Sequence, residues 1–492
     1  MTAAPRLLSV AKMRTFDAND PGLLTPEETS LLTDQYELAM SASYHRRGMN
    51  EAAVFELFPR HLPPHRQWLL VAGLGPALSL VERMRFGAQE LGYLASEGFH
   101  DEFLDYLSRL KFSGSIEAMP EGTIAFAGEP LVRVTAPRIE AQLLETLLLN
   151  QINFQTTIAT KAARVVLAAG GGQPGSGERV VDFSPRRDHG IDAAMKVARA
   201  AAIAGAGGTS NVAAAMRYGL RPVGTMAHSY VMSFDTEEAA FRSFMEDTPQ
   251  NAVMLVDTYD TLEGVRTAIA ASRATGVPLK GVRLDSGDLL TLSRAARRLL
   301  DDAGMHDSFV LASGDLEERQ IAALVSAHAP IDFWGVGTDL GTSRDSPALG
   351  GVYKLVAHRR PDRRWVGVAK RSPAKATVAG AKQVFRGRRG DEMVGDVIAG
   401  ADEDLPGRPL LVPAMRAGRA VLRESLAEMR ARAASELSSL PERLRDLARA
   451  EEATAYPVNW SPCLVRGTAV DGAIATLAPD SRASRSSYVI PS

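Results

Sequence analysis

Cysteine is almost missing from this chain of 492 residues, Cys463 being the single one. One thiol excludes an intrachain disulfide and any cysteine-built zinc site, and it suits a reducing compartment. A charge excess of either sign is missing too. The net charge is −2 with a pI near 6.5, and aromatic residues make up only 6% without basic residues interleaved. Those absences remove the usual footprint of nucleic-acid binding, so no nucleic-acid partner is expected. No apolar run reaches the roughly 18 residues that a membrane-crossing helix needs, and the N-terminus has no compact apolar signal region. No membrane partner is expected, and the location is expected to be cytoplasmic.

What is present is a hydrophobic content of 45%, ample for a large core in two or three domains. An apolar run ending in a polar cluster recurs at VVDFSPRR, AGAGGTSN, PVGTMAHS, VMLVDTYD, GVRLDSGD, FVLASGD and FWGVGTD. From Val253 onward the spacing is that of one strand plus one helix, which predicts parallel strands closed into a barrel. The loops leaving the C-terminal ends of such strands build the active site. Asp182, Arg186, Ser210, His228, Asp257, Arg283, Asp285, Ser313 and Gly337 all fall there.

Residues 1–29 read as an irregular tail and 30–150 as an α/β domain. Residues 151–352 read as the barrel, entered through the Gly-rich GGGQPGSGE, and 353–455 as antiparallel strands and helices that complete the N-terminal domain. Residues 456–492 form a second tail without periodicity.

The strand-end motifs carry the chemistry. FWGVGTDLGTS supplies Gly335, Gly337 and Gly341 with the hydroxyls of Thr338, Thr342 and Ser343. It lacks the P-loop lysine and departs from the dinucleotide fingerprint. A barrel phosphate site remains, because glycines let a ligand approach backbone N–H groups; tight turn packing is the other reading. Ser313-Gly314-Asp315 offers a second such cluster. Arg186 and Arg187 suit a bidentate grip on a diphosphate, or are a solvated pair. His228 follows the PVGTMA run, and Asp257 on the next strand end is placed to hold its imidazole in one tautomer. Arg283 and Asp285 share a strand face by period two and give the pocket a cation and an anion, or a structural ion pair.

With these residues in view, the chain resembles the nicotinate phosphoribosyltransferases. The resemblance runs through LLTDQYELAM, FELF, DFSPRR, GGTSN, GTMAHS, DTYDT, GVRLDSGD, VLASGD, GVGTDLGTS and YKLV, in order from about Leu31 to Leu464. It implies an irregular, incomplete α/β barrel of the type II phosphoribosyltransferase kind, joined to an α/β domain built from both chain ends, in a homodimer with shared active sites. It also implies the substrates nicotinate, phosphoribosyl pyrophosphate and ATP, with Mg2+, yielding nicotinate mononucleotide for NAD biosynthesis. Phe183 and Tyr36 would then sandwich the pyridine, Tyr36 coming from the neighbouring subunit. Arg283 would meet the carboxylate and Asp285 the ribose hydroxyls. Ser313, Gly314, Gly335, Gly337 and Thr338 would line the phosphate sites, and Arg186 would stabilise the departing pyrophosphate. His228 would be phosphorylated by ATP, with Asp257 orienting it; the metal ligands stay unassigned. Ser210, where an acid would favour a carboxamide and repel a carboxylate, points to nicotinate over nicotinamide. A nicotinamide-specific relative and a non-catalytic barrel that binds a phosphorylated metabolite are the alternatives.

Overall fold

A computed structural model describes residues 23–25, 28–170, 176–372, 375–447 and 455–468. The N-terminal part supplies β1 (Ala52–Pro59), β2 (Ser115–Ala118) and β3 (Val132–Pro137). On β3 buried and half-buried residues alternate, the mark of a strand covered on one face, whereas β1 is buried along nearly its whole length. Helix α1 (Gln35–Arg46) precedes this set, and α2 (Glu145–Gly170) leaves it.

The central part holds six parallel strands: β4 (Val180–Asp182), β5 (Gly208–Thr209), β6 (Val253–Leu255), β7 (Gly281–Leu284), β8 (Phe309–Ala312) and β9 (Phe333–Val336). Their order is β5-β4-β9-β8-β7-β6. They are short, apolar and buried because helices cover their outer side. A seventh strand was expected at PVGTMAHS and does not form. Pro222 makes only an isolated parallel bridge to Thr209, and Pro222, lacking an N–H, cannot donate to extend a ladder. Near this gap the side chain of Asn251, just before β6, bonds the Gly224 carbonyl at 2.6 Å. The barrel is therefore incomplete between β5 and β6.

The C-terminal part gives β10 (Gly351–Arg359), β11 (Trp365–Gly367), β12 (Lys382–Arg389), β13 (Glu392–Gly400), β14 (Arg408–Pro409), β15 (Val412–Arg416), β16 (Arg419–Ala420) and β17 (Val458–Trp460). Strand β10 runs antiparallel to β1, pairing Ala53 with His358 and Pro59 with Gly351. Strand β15 joins β2, so one seven-stranded sheet has the order β11-β10-β1-β3-β2-β15-β16. The C-terminal segment thus completes the N-terminal domain as expected. It also forms a four-stranded sheet of its own, β14-β12-β13-β17.

Two further expectations need adjusting. Helix α2 passes unbroken through residue 150, where a domain boundary is expected, so it belongs to both bodies. The region read as a second tail begins inside the fold: Tyr456 is buried, stacks on Phe126 and donates to Asp396 at 2.9 Å, and β17 lies parallel to β13. Residues 469–492, nearly all of the first 29, and 171–175 of the Gly-rich connection fall outside the described residues.

A buried ion pair joins the two bodies. Glu121 accepts from the Gly73 and Gly75 amides and takes Arg199 bidentately at 2.7 and 2.8 Å. Burial works against the Glu121 carboxylate, but Arg199 and the two amides hold it below the usual range. Breaking such a pair from one side typically costs about 3–5 kcal/mol, because a buried charge is left uncompensated. Among the described residues no helix is long and apolar enough to cross a membrane.

Candidate active site

Several strand ends meet around Arg283. Phe183 follows β4, and its amide donates to the Val336 carbonyl of β9 at 2.9 Å. Its ring lies against Gly335, where an added Cβ would fall 2.5 Å from two ring carbons, so the glycine is what admits the aromatic. The Arg283 guanidinium stands 5.4 Å from the Phe183 ring centroid, in cation–π range. Its Nε donates to Ser313 Oγ at 2.8 Å, Nη1 to Thr225 Oγ1 at 3.2 Å and Met226 O at 3.4 Å, and Nη2 to Asp285 Oδ1 at 2.6 Å. Four of its five N–H groups are thereby engaged. A ligand carboxylate meets one N–H of Arg283 unless the Asp285 pair opens.

Asp285 is half-buried, which pushes its carboxyl up, but the Ser313 hydroxyl and Arg283 outweigh burial and hold it below its ordinary range. It is an anion at neutral pH. Gly314, at φ +89°, brings the β8 turn so close to β7 that an added Cβ would lie 1.8 Å from the Asp285 carbonyl oxygen. A cleft of about 530 Å³ opens there, lined by Asp285, Ser286, Ser313, Gly314, Asp315 and Leu316 among others.

His228 begins a single helical turn, His228–Val231, after the irregular stretch beyond Pro222. Its side chain is 40% exposed. Asp257 was expected to hold the imidazole, and the structure corrects this. Nδ1 lies 3.1 Å from Thr258 Oγ1, and the carboxylate nearest Nε2 is Asp285 Oδ2, at 3.8 Å. Asp257 instead accepts from the Asp285 amide at 3.0 Å and Ser286 Oγ at 2.6 Å, bracing the turn that carries Asp285. Its other oxygen, Oδ1, is buried without a hydrogen-bond partner. Asp257 and Thr258 are chain neighbours whose side chains take different directions, a distinction that strand periodicity does not make.

The remaining expected residues divide. Ser210 is half-buried and its amide donates to the Asp182 carbonyl at 2.8 Å. It does not cap the next helix: Asn211 does, accepting from the Ala214 amide. Asp182 does not enter the pocket. It is 1% exposed, bonded to Ser184 and to Thr209 Oγ1, and its carboxyl is raised by burial. Arg186 and Arg187 are exposed on the turn after β4. Gly337 and Thr338 open the short helix α3 (Thr338–Thr342) beside Phe183. Tyr36, on α1, is half-exposed; burial, Glu145 and Glu37 push its hydroxyl up to about 12. Its neighbours are the acids of its own domain, and among the described residues no ring contact joins it to Phe183.

Sequence reasoning missed Thr225 and Thr258, although both sit inside the motifs it singled out. It also missed a buried charge cluster around Lys161 of α2, whose signal was a lone lysine inside TTIATKAARVV. Glu317, Glu318 and Asp339 bring carboxylate oxygens within 4.8 Å of one another. Lys161 already pairs with Glu318 and Asp339, so this group is charge-balanced and does not fit a metal ion. Asp257 and Asp285 fit Mg2+ better: Asp257 offers an unpartnered carboxylate oxygen and Asp285 lines the cleft, and both are hard ligands.

Comparison with known proteins agrees with this geometry. Residues 31–153 match the nicotinate phosphoribosyltransferase N-terminal domain model and 179–376 the nicotinate phosphoribosyltransferase family model. The chain is 46% identical over 441 residues to a nicotinate phosphoribosyltransferase of Mycobacterium tuberculosis, covering 89% of this chain and 92% of the relative. It is 45% identical over 388 residues to one from Bacillus subtilis, covering 77% and 78%. The crystal structure of human nicotinic acid phosphoribosyltransferase superposes with a TM-score of 0.75 at 26% identity, over 88% of this chain and 98% of that one. Strand-end motifs, incomplete barrel and relatives together make this chain a member of the nicotinate phosphoribosyltransferase family.

Proposed function

We infer that the chain joins nicotinate to the ribose of phosphoribosyl pyrophosphate, in the NAD biosynthesis of a cytoplasmic compartment, and that ATP hydrolysis drives the step. The observation that carries this is the Phe183–Arg283–Asp285–Ser313 constellation at adjoining strand ends: a flat ring, a cation beside it, and an anion and hydroxyl next to both. That set suits a planar aromatic acid next to a sugar.

The pyridine nitrogen attacks C1 of the ribose as the C1–oxygen bond to pyrophosphate breaks, and the electron pair leaves with the diphosphate. Positive charge develops on the sugar and negative charge on the leaving group. Phe183 stacks on the pyridine and fixes its plane, and Arg283 offers an N–H to the carboxylate. Asp285, held ionised, accepts from the ribose hydroxyls and faces the cationic sugar. Gly314, Gly337 and Thr338 present backbone N–H and hydroxyl donors to the 5-phosphate, with Ser313 and Gly335 setting the floor. Arg186, exposed on its turn, closes on the pyrophosphate. Asp257 and Asp285 would hold Mg2+, which when bound neutralises diphosphate charge.

For the ATP half-reaction, His228 is the phosphate acceptor. In the tautomer with the proton on Nδ1, which then donates to Thr258 Oγ1, Nε2 keeps the lone pair and lies 3.8 Å from Asp285 Oδ2. Nε2 attacks the γ-phosphate and ADP leaves; water later takes the phosphoryl group from the histidine. Tyr36, half-exposed on its own domain, completes the pocket of a second copy, which makes the working unit a homodimer.

The test measures pyrophosphate release with nicotinate or nicotinamide, with and without ATP. Release with nicotinate that ATP stimulates is the expected result, and equal use of both bases would overturn the assignment. The shared site is tested by mixing inactive Tyr36→Ala and inactive Arg283→Ala proteins. Proven subunit exchange without recovered activity would reject it.

A further inference from the structure

Beneath the proposed phosphate loop lies a charge cluster that the reaction as described does not use. Lys161, in the middle of α2, is 1% exposed. Its ammonium touches carboxylates on two separate segments: Glu318, which begins the helix after β8, and Asp339 and Asp345, which flank the segment running on from Gly337. The Asp345 contact is 3.0 Å. Arg164, one turn along α2, donates to Glu318 at 2.9 Å. Arg66, from the loop that follows β1, takes Asp345 bidentately at 2.7 and 2.9 Å and reaches Ser343 Oγ at 3.2 Å. Ser343 itself sits at φ +45°, a conformation that a serine adopts only when its surroundings hold it.

Three buried cations therefore meet three carboxylates, and two of those carboxylates bracket one short loop. A buried ionic cluster of this kind adds little net stability over apolar residues of similar volume, because desolvation offsets the Coulomb attraction. What it supplies is geometry. Asp339 is the residue after Thr338, so the position of Lys161 Nζ sets where the Gly337–Thr338 backbone stands relative to the turn at Ser313–Gly314. Lysine suits this junction because its ammonium is a compact charge that donates to Glu318 and Asp345 and stands in ion-pair contact with Asp339, where the planar fork of an arginine does not fit as well.

We propose that Lys161 is a positioning residue for the phosphate end of phosphoribosyl pyrophosphate: it pins the Gly337–Thr338 loop through Asp339 and Asp345, and touches no substrate itself. The proposal rests on the reading of Gly337–Thr338 as the 5-phosphate site. Its signature is a split in kinetic constants, with the KM for phosphoribosyl pyrophosphate rising while that for nicotinate, which is held by Phe183 and Arg283, stays put.

The test uses the full-length enzyme with Lys161→Arg, which keeps the charge, and with the paired change Lys161→Met and Asp339→Leu, which removes one charge of each sign and so leaves no uncompensated ion. Circular dichroism and thermal melting report folding, and steady-state kinetics report both KM values. The expected result in the folded variants is a rise of about tenfold or more in the KM for phosphoribosyl pyrophosphate, with the nicotinate KM within about twofold of the parent. An unchanged phosphoribosyl pyrophosphate KM in either folded variant, or equal rises in both constants, overturns the proposal. A Gly337→Ala arm separates the two layers of inference. If it raises the phosphoribosyl pyrophosphate KM and the Lys161 variants do not, the positioning role has failed. If none of the three raises it, the phosphate reading itself has failed.

Discussion

Gly314→Ala should cost about 100-fold in activity where Gly276→Ala costs only stability, and the structure says why. The residue sits at φ +89°, and a Cβ built there would lie 1.8 Å from the carbonyl oxygen of Asp285 and 2.8 Å from its carbonyl carbon. Both are backbone atoms, so no flexible side chain can give way. Real Cβ contacts essentially never fall below 3.0 Å, so the turns after β7 and β8 must part by about 1 Å or more. Such a displacement separates Asp285 from Ser313, whose mutual hydrogen bond also orients Arg283. A misplacement of ~1 Å costs about 10²-fold in rate, equivalent to about 2.7 kcal/mol of transition-state stabilisation. Gly276→Ala supplies the control. Gly276 is also at positive φ, +70°, but an added Cβ meets nothing within 4 Å. It carries the backbone penalty of about 1–2 kcal/mol without the collision. The assay is kcat/KM for pyrophosphate release beside thermal unfolding of both variants. Gly276→Ala should melt earlier with its turnover intact, and Gly314→Ala should lose about 100-fold in kcat/KM. Activity of Gly314→Ala within about threefold of the parent would refute the argument that close approach of these turns builds the site.

Other substitutions test other parts of the reading. Thr258→Val removes the partner of His228 Nδ1 and should slow formation of acid-labile protein-bound phosphate by about tenfold or more, while ATP-independent transfer persists; an unchanged rate of phosphorylation would leave Thr258 without a role. On the reading that Ser210 faces the nicotinate carboxylate, Ser210→Asp should raise the nicotinate KM by at least about tenfold, or about 1.4 kcal/mol, a result read directly from saturation curves. Burial pushes the Glu37 carboxyl up to about 7 against the pull of the Thr33 and Thr146 hydroxyls. The folded protein therefore retains a proton that the unfolded chain gives up near 4.5, so stability falls as pH rises from the unfolded value through about 7. Glu37→Gln should flatten that decline in melting temperature between about pH 5 and 8, and identical pH slopes would exclude Glu37 as its source.

Much of this site was legible because parallel barrel strands are buried on both faces. Such strands read as apolar runs, and the first polar residues mark the exit, which is how Arg283, Asp285 and Ser313 stand out, whereas Phe183 is named only by the family resemblance. Period two also brought Arg283 and Asp285 together, and they pair at 2.6 Å. The rule failed at PVGTMAHS because an apolar run is necessary but not sufficient: Pro222 cannot donate to the ladder, and the strand stops at one bridge. It failed again at His228, where the partner is Thr258 rather than Asp257, one residue away in sequence with different contacts. The Lys161 cluster lay beyond reach for a different reason. Its carboxylates come from residues 157 to 184 positions away in the chain, and nothing local to α2 announces them.

The pairing of β1 with β10 has a consequence for how the chain is made. The two strands are separated by some 300 residues, so during synthesis β1 carries an unsatisfied edge until Gly351–Arg359 has left the ribosome. Most of its residues are apolar and buried in the finished sheet, which makes the waiting edge a template for the wrong neighbour. The six-stranded parallel sheet needs none of the residues beyond Val336 for its own strand pairing and can form first. Nascent chains halted between the barrel and β10 should therefore hold a protease-resistant centre with an N-terminal third that only a holding chaperone keeps from aggregating.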